Sequence, residues 1–309
     1  MTATAPEDLF AAVDLARAPA DGPAAFGGDL DPGTLLDAYR HGLFPLPAAD
    51  DYTSAFNEAR HEEAVHAGAI TLLPGSDHHA DPYALAWWSP DPRPVLAPDG
   101  VRLGRKLSRM LRNRLEWWTT ADTAFEEVLA ACAEGRQPPW LTADLREALL
   151  GLHRLGAAHS VEVWEDGELI GGVFGIAAGP ALSLDSMFHR RPDAGRVAVA
   201  DLAARFDAAG GRLLDAQWDS PHVRSLGAVP QSRARYLAAL AEGGELERPL
   251  DTARLPAARL APEKPRPPFP PGRGRGATAG HGHGHGNGHG HRHPYRNARG
   301  GGPDGGPDG

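Results

Sequence analysis

Apolar positions first recur with a helical period in "DPGTLLDAYRHGLF". There Asp31 is placed to cap the helix, Pro32 takes its first position and Gly42 ends it. From Pro45 to Trp87 the periodicity fades into a polar, His- and Asp-rich stretch, which predicts a long surface insertion at about 46–86. A helix is expected over roughly 122–134, where Phe125, Val128, Leu129 and Cys132 fall on one face and make Cys132 a packed core residue. "WLTADLREALLGLHRLG" predicts the next helix, capped by Thr142 and stopped at Gly156. "HSVEVWEDGELIGGVFGI" reads as two strands joined by an Asp166-Gly167 hairpin turn, and "ALSLDSMF" as a third strand after Gly179-Pro180. A helix follows from about Ala194, with Val199, Leu202, Ala203 and Phe206 on one face and a stop at Gly210-Gly211. A strand through "LLDAQ" and a helix in "RARYLAALAEG" close the pattern, a mixed α/β sheet flanked by helices.

Composition divides the chain into an N-terminal domain (1–92), a mixed α/β domain (93–258) and a Pro/Gly/His-rich tail (259–309), expected to be disordered. Six histidines in the tail suit weak Zn²⁺ or Ni²⁺ binding or a dispensable flexible extension; no metal site is assigned. The longest apolar run, "LIGGVFGIAAGPAL", is too short and glycine-rich to span a bilayer, and the acidic N-terminus lacks the form of a secretion signal. A single cysteine fits a reducing cytoplasm. The net charge of −9 argues against a general basic field for nucleic acid, so any such contact belongs to a local patch.

Three constellations carry candidate chemistry. Strand alternation points Asp215 and Gln217 the same way, either as a solvated strand edge or as a carboxylate and carboxamide side by side at a strand end. On the "ALSLDSMF" strand it puts Asp185 and Met187 on one face and Leu184, Ser186 and Phe188 on the other. That pair reads as the lip of a pocket for an amine beside an apolar group, or as a core Met next to a surface Asp. "VRLGRKLSRMLRNR" places Arg102, Arg105, Lys106, Arg109 and Arg112 at helical spacings, a stripe suited to phosphate unless it is an ordinary solvated face. Trp87 and Trp88 read as core anchors, whereas Trp140 stands at a loop mouth where an aromatic can stack a nucleobase.

The order and spacing of "GGDLDPGTLLDAYRHGLFP", "WWSPDPR", "AHSVEVWEDGELIGGVFG", "DSMFHR", "LLDAQ" and "SLGA" closely resemble the leucyl/phenylalanyl-tRNA–protein transferase family over about residues 26–240. The resemblance implies a GNAT-like catalytic domain beside a smaller N-terminal domain, needing no cofactor. It also implies transfer of Leu or Phe, with Met as a further donor, from aminoacyl-tRNA to proteins bearing N-terminal Arg or Lys. The product marks those proteins for degradation in the bacterial N-end rule pathway. Carried over by position, Asp215 and Gln217 match the catalytic pair, Met187 lines the side-chain pocket and Trp140 lies near the adenosine. Asp185 and Ser186 complete the expected substrate-binding set, and Arg102, Arg105, Lys106, Arg109 and Arg112 the tRNA-binding set. A cytoplasmic monomer without membrane contact is expected. The chain departs from the family pattern at Leu46, Leu149, Leu184-Asp185 and Ala194-Gly195-Arg196. Two other readings remain open: an acyl-CoA-dependent N-acyltransferase on the same fold, and a non-catalytic RNA- or metal-binding protein.

Overall fold

The computed structural model describes residues 9–74, 81–135, 139–244 and 246–261. The expected tail lies almost wholly outside these residues, as does its histidine tract.

Local chemistry sets the first elements. β1 (Pro23–Gly27) leads to α1 (Pro32–Arg40), whose N-cap Asp31 accepts a hydrogen bond from the Gly33 amide. Gly42 then takes φ 76°, a left-handed turn that glycine adopts without steric cost, and delivers the chain to β2 (Phe44–Pro47). The expected insertion contains regular structure: α2 (Asp51–His66), capped by Asp50, and β3 (Thr71–Leu73). Ser54 is the one buried residue of α2, so the helix had almost no apolar face for the sequence to display. With β4 (Leu85–Trp88) these strands form a four-stranded sheet in the order β2-β4-β1-β3. Trp87 is fully buried in it, whereas Trp88 is only partly so.

The second sheet takes the rest of the chain. Its first strand is β5 (Arg93–Leu96), followed by α3 (Arg105–Asn113), β6 (Trp118–Ala121) and α4 (Phe125–Ala133). Next come α5 (Ala143–Arg154), β7 (Ala158–Glu165), β8 (Glu168–Ala178) and β9 (Ala181–His189). Thr142 caps α5, and Gly156 leaves it at φ 75°. Asp166 and Gly167, both at positive φ, make the tight turn between β7 and β8 that a right-handed strand twist favours. The chain continues through α6 (Ala194–Ala208), β10 (Leu213–Asp215), α7 (Pro221–Leu226), β11 (Val229–Gln231), α8 (Arg233–Ala241) and β12 (Leu255–Pro256). The strand order is β11-β5-β10-β9-β8-β7-β6-β12, with β10 parallel to β9 and the other neighbours antiparallel.

This mixed sheet separates two apolar cores. Successive residues Val173 and Phe174 of β8 belong to different cores, as a period of two requires. α6 covers one face with Val199, Leu202, Ala203 and Phe206, while α1, α4 and α5 cover the other, Cys132 buried among them. No helix among the described residues is long and apolar enough to cross a membrane.

Candidate active site

β10 ends on Asp215, which pairs with Ser183 of β9 on one side and Val95 of β5 on the other. A carboxylate here lies between two strands and is fully buried, so it requires partners. Arg93 supplies them from the start of β5: Nε donates to Oδ1 at 2.8 Å and Nη2 to Oδ2 at 2.6 Å, a bidentate pair with both side chains buried. The Tyr236 hydroxyl of α8 donates to Oδ2 at 3.0 Å. Arg93 also donates to the Gly42 carbonyl at 3.3 Å and lies against the rings of Phe44 and Tyr236, 4.9 and 4.7 Å from their centroids. Burial alone would pull the guanidinium pKa down, yet Asp215 beside it leaves it raised. Burial, reinforced by Asp215, pushes Tyr236 above an ordinary phenol, so its hydroxyl keeps the proton it donates.

Strict alternation does not carry through to Gln217. The strand ends at Asp215, and Gln217 takes φ 57° with its backbone N–H donating to Asp215 Oδ1 at 2.8 Å. The acid therefore holds the backbone of Gln217 rather than its side-chain amide. Both amide hydrogens of that side chain are committed elsewhere, Nε2 donating to Ser183 Oγ and to Asp185 Oδ1, each at 2.9 Å. Its carbonyl oxygen remains available as an acceptor.

β9 also departs from alternation. The pairing of Phe174 with Ser186 and of Gly175 with Leu184 leaves Asp185 as an extra residue in a β-bulge. As a result Met187 packs against the same core as Leu184, although the period of two set them on opposite faces. Asp185 accepts from Gln217 and from the Tyr39 hydroxyl of α1, in a short contact. Burial is the main cause that raises its carboxyl pKa from 3.8 to about 7, opposed by the hydrogen bonds from Tyr39 and Ser183. Burial and Asp185 together hold Tyr39 well above the usual phenol range. The sign for stability follows. The unfolded chain releases this proton first, so Asp185's contribution is fully present below about 3.8 and is lost as the pH climbs towards 7.

The other expected residues are distributed around this centre. Ser186 is buried on β9, and Trp140 lies half-buried with its ring nearly parallel to Phe174 at 6.5 Å. Arg105, Lys106 and Arg109 line the exposed side of α3, and Arg112 is partly buried. Arg102 does not continue their stripe: Gly104 at φ 77° starts the helix after it. Arg102 instead lines a groove of about 600 Å³ together with Arg212 and Arg235.

Sequence reasoning missed Tyr39, Arg93, Ser183 and Tyr236, and also Trp218. The last is 41% exposed beside Gln217 and packs edge-on against Phe44 and Trp88, at 5.5 and 5.1 Å. One signal was present: an acid at the end of an apolar strand calls for a cation, and Arg93 sits in the quoted "WWSPDPR".

Residues 95–241 match the family profile for leucyl/phenylalanyl-tRNA protein transferase, and residues 28–52 match the profile for its N-terminal domain. All of the site residues named above except Arg93 and Trp88 fall in those two stretches, and the class is an aminoacyltransferase. The leucyl/phenylalanyl-tRNA–protein transferase of Aromatoleum aromaticum is 41% identical over 235 residues, covering 75% of this chain and 85% of that one. That of Chromohalobacter salexigens is 39% identical over 255 residues, 82% and 86% of the two chains. This chain belongs to the leucyl/phenylalanyl-tRNA–protein transferase family. Among solved structures, the chain shows a similarity to a GCN5-related N-acetyltransferase from Kribbella flavida, with a TM-score of 0.31 and 14% identity over 46% of this chain and 55% of that one.

Proposed function

We propose that this chain transfers Leu or Phe, with Met as a further donor, from aminoacyl-tRNA to the N-terminal Arg or Lys of proteins. In this reading it acts as a cytoplasmic monomer and marks those proteins for degradation. The donor is an activated ester and the product an amide, so the reaction is downhill without a second energy source. An unperturbed α-amine has a pKa near ~8, so a useful fraction is already neutral at cellular pH. Holding amine and ester carbonyl in register can supply about 7–11 kcal/mol in well-oriented cases.

The observation that carries this reading is the commitment of Gln217. Its amide hydrogens are fixed on Ser183 and Asp185, which leaves the carbonyl oxygen to accept a hydrogen bond from an attacking amine. Asp215, sealed by Arg93 and Tyr236, acts through the Gln217 backbone and so positions rather than touches substrate. The open indole of Trp218 beside Gln217 suits stacking by a terminal nucleobase. Met187 and Ser186 serve the transferred side chain in this reading, and Trp140 the adenosine.

The test is direct. Purified protein mixed with labelled Leu-tRNA or Phe-tRNA and a peptide beginning with Arg should yield peptide-borne label. The same peptide with acetyl-CoA as donor should stay unmodified. Acetylation without aminoacylation would instead favour the acyl-CoA reading.

A second expected result concerns the RNA. Replacing Arg105 and Arg109 by Gln should weaken aminoacyl-tRNA binding and flatten the plot of log affinity against log salt by about one unit per lost phosphate contact. Binding titrations across a salt series measure it. An unchanged slope would return α3 to an ordinary solvated face.

A further inference from the structure

We propose that Asp185 is the base of the transfer reaction, taking a proton from the attacking α-amine and delivering it to the departing ribose oxygen, and that Tyr39 is a positioning residue that sets the pH at which it does so. The inference rests on the aminoacyl-transfer reading given above.

Elimination among the neighbouring groups leads to it. Gln217 has no titratable group, and its amide hydrogens are already engaged. Asp215 accepts twice at each oxygen, from Arg93 Nε and Gln217 N at Oδ1 and from Arg93 Nη2 and Tyr236 at Oδ2, and it is fully buried. Tyr236 and Tyr39 both hold their protons and donate them, one to each acid. Asp185 differs from all of these. It is partly exposed, accepts from Gln217 at Oδ1, from Tyr39 at Oδ2 and also from Ser183, and directly holds the carboxamide whose carbonyl meets the substrate amine in this reading.

The groups facing Asp185 are Tyr39 from α1, Ser183 from its own strand, Asp215 from β10, Arg93 from β5 and Gln217 beyond β10. Burial and Asp215 raise its pKa, while Tyr39, Ser183 and Arg93 lower it, and the balance near 7 suits a base working at neutral pH. In the step itself, the amine nitrogen bonds to the aminoacyl carbonyl carbon and its proton passes to the Asp185 carboxylate. The bond between that carbon and the ribose oxygen then breaks, and the oxygen takes the proton from Asp185. One C–N bond forms, one C–O bond breaks and one proton moves from nitrogen to oxygen. An acceptor that arrives as an ammonium first loses a further proton to solvent.

Single-turnover transfer from labelled Leu-tRNA to saturating Arg-peptide, followed against pH, tests the assignment. Tyr39→Phe keeps the ring and removes the hydrogen bond that lowers the Asp185 pKa, so the acidic limb should move up by about one pH unit. Asp185→Asn should cut the rate about 100- to 10,000-fold while the peptide KM and Leu-tRNA affinity hold. Should that variant fail to fold, the limb in Tyr39→Phe still decides the matter. An unmoved limb, or an Asp185→Asn enzyme that raises KM and keeps its rate, overturns the role of Asp185 while transfer by the wild-type protein leaves the wider reading standing. No transfer by the wild-type protein overturns both.

Discussion

Replacing Arg93 with methionine should cost about 3–5 kcal/mol of stability, because it strands a buried carboxylate. Arg93 is 1% exposed and Asp215 is not exposed at all, so water cannot stand in for the missing guanidinium. Two of the four hydrogen bonds to Asp215 vanish with it, leaving only those from Tyr236 and the Gln217 amide. The bond to the Gly42 carbonyl and the contacts with the Phe44 and Tyr236 rings are lost as well. Asp215→Leu added to Arg93→Met should recover part of the loss, since an apolar pair of similar volume leaves nothing unpaired. Transfer activity should fall in both variants, because Gln217 loses the carboxylate that holds its left-handed backbone. Urea melts with an unchanged slope would give the stability values. A loss below about 1 kcal/mol in Arg93→Met would show that the pair is replaceable by local relaxation.

What the sequence displayed and what it concealed differ in range. The Thr142 cap, the Asp166-Gly167 turn and the Asp31-Pro32 start of α1 each depend on residues a few positions apart, and each stands where the pattern put it. The Arg93–Asp215 pair joins residues 122 positions apart, and Tyr39 meets Asp185 across 146, distances at which no local period carries information. Alternation failed at two points for a related reason. Gln217 leaves the extended conformation because Asp215 captures its backbone N–H, and β9 gains a residue at Asp185 because β8 offers it a glycine. The basic stripe was legible on α3, yet Gly104 separates Arg102 from it and sends that residue into another groove. The candidate acids and amide could therefore be named from the chain, while the partners that decide which of them is accessible could not.

Gly175→Ala should be the most damaging of the small substitutions, because it strikes the bulge that presents Asp185. A Cβ on Gly175 would lie 1.9 Å from the Ser183 carbonyl oxygen and 2.9 Å from Leu182 Cδ2. The oxygen belongs to backbone and cannot rotate away, so β8 and β9 must separate locally. The cost should reach the upper end of the about 1–3 kcal/mol seen for overpacked interiors. Function should suffer beyond what stability explains. Ser183 pairs with Asp215 and accepts from Gln217, and Asp185 is two residues on, so a shift in β9 displaces both anchors of the carboxamide. Gly244→Ala is the control, since a Cβ there meets nothing within 4 Å and its backbone needs no positive φ. Thermal or urea melts and the labelled-peptide assay should separate the two variants clearly. If Gly175→Ala matched Gly244→Ala in both, the tight apposition of β8 and β9 would not be what holds Asp185 in place.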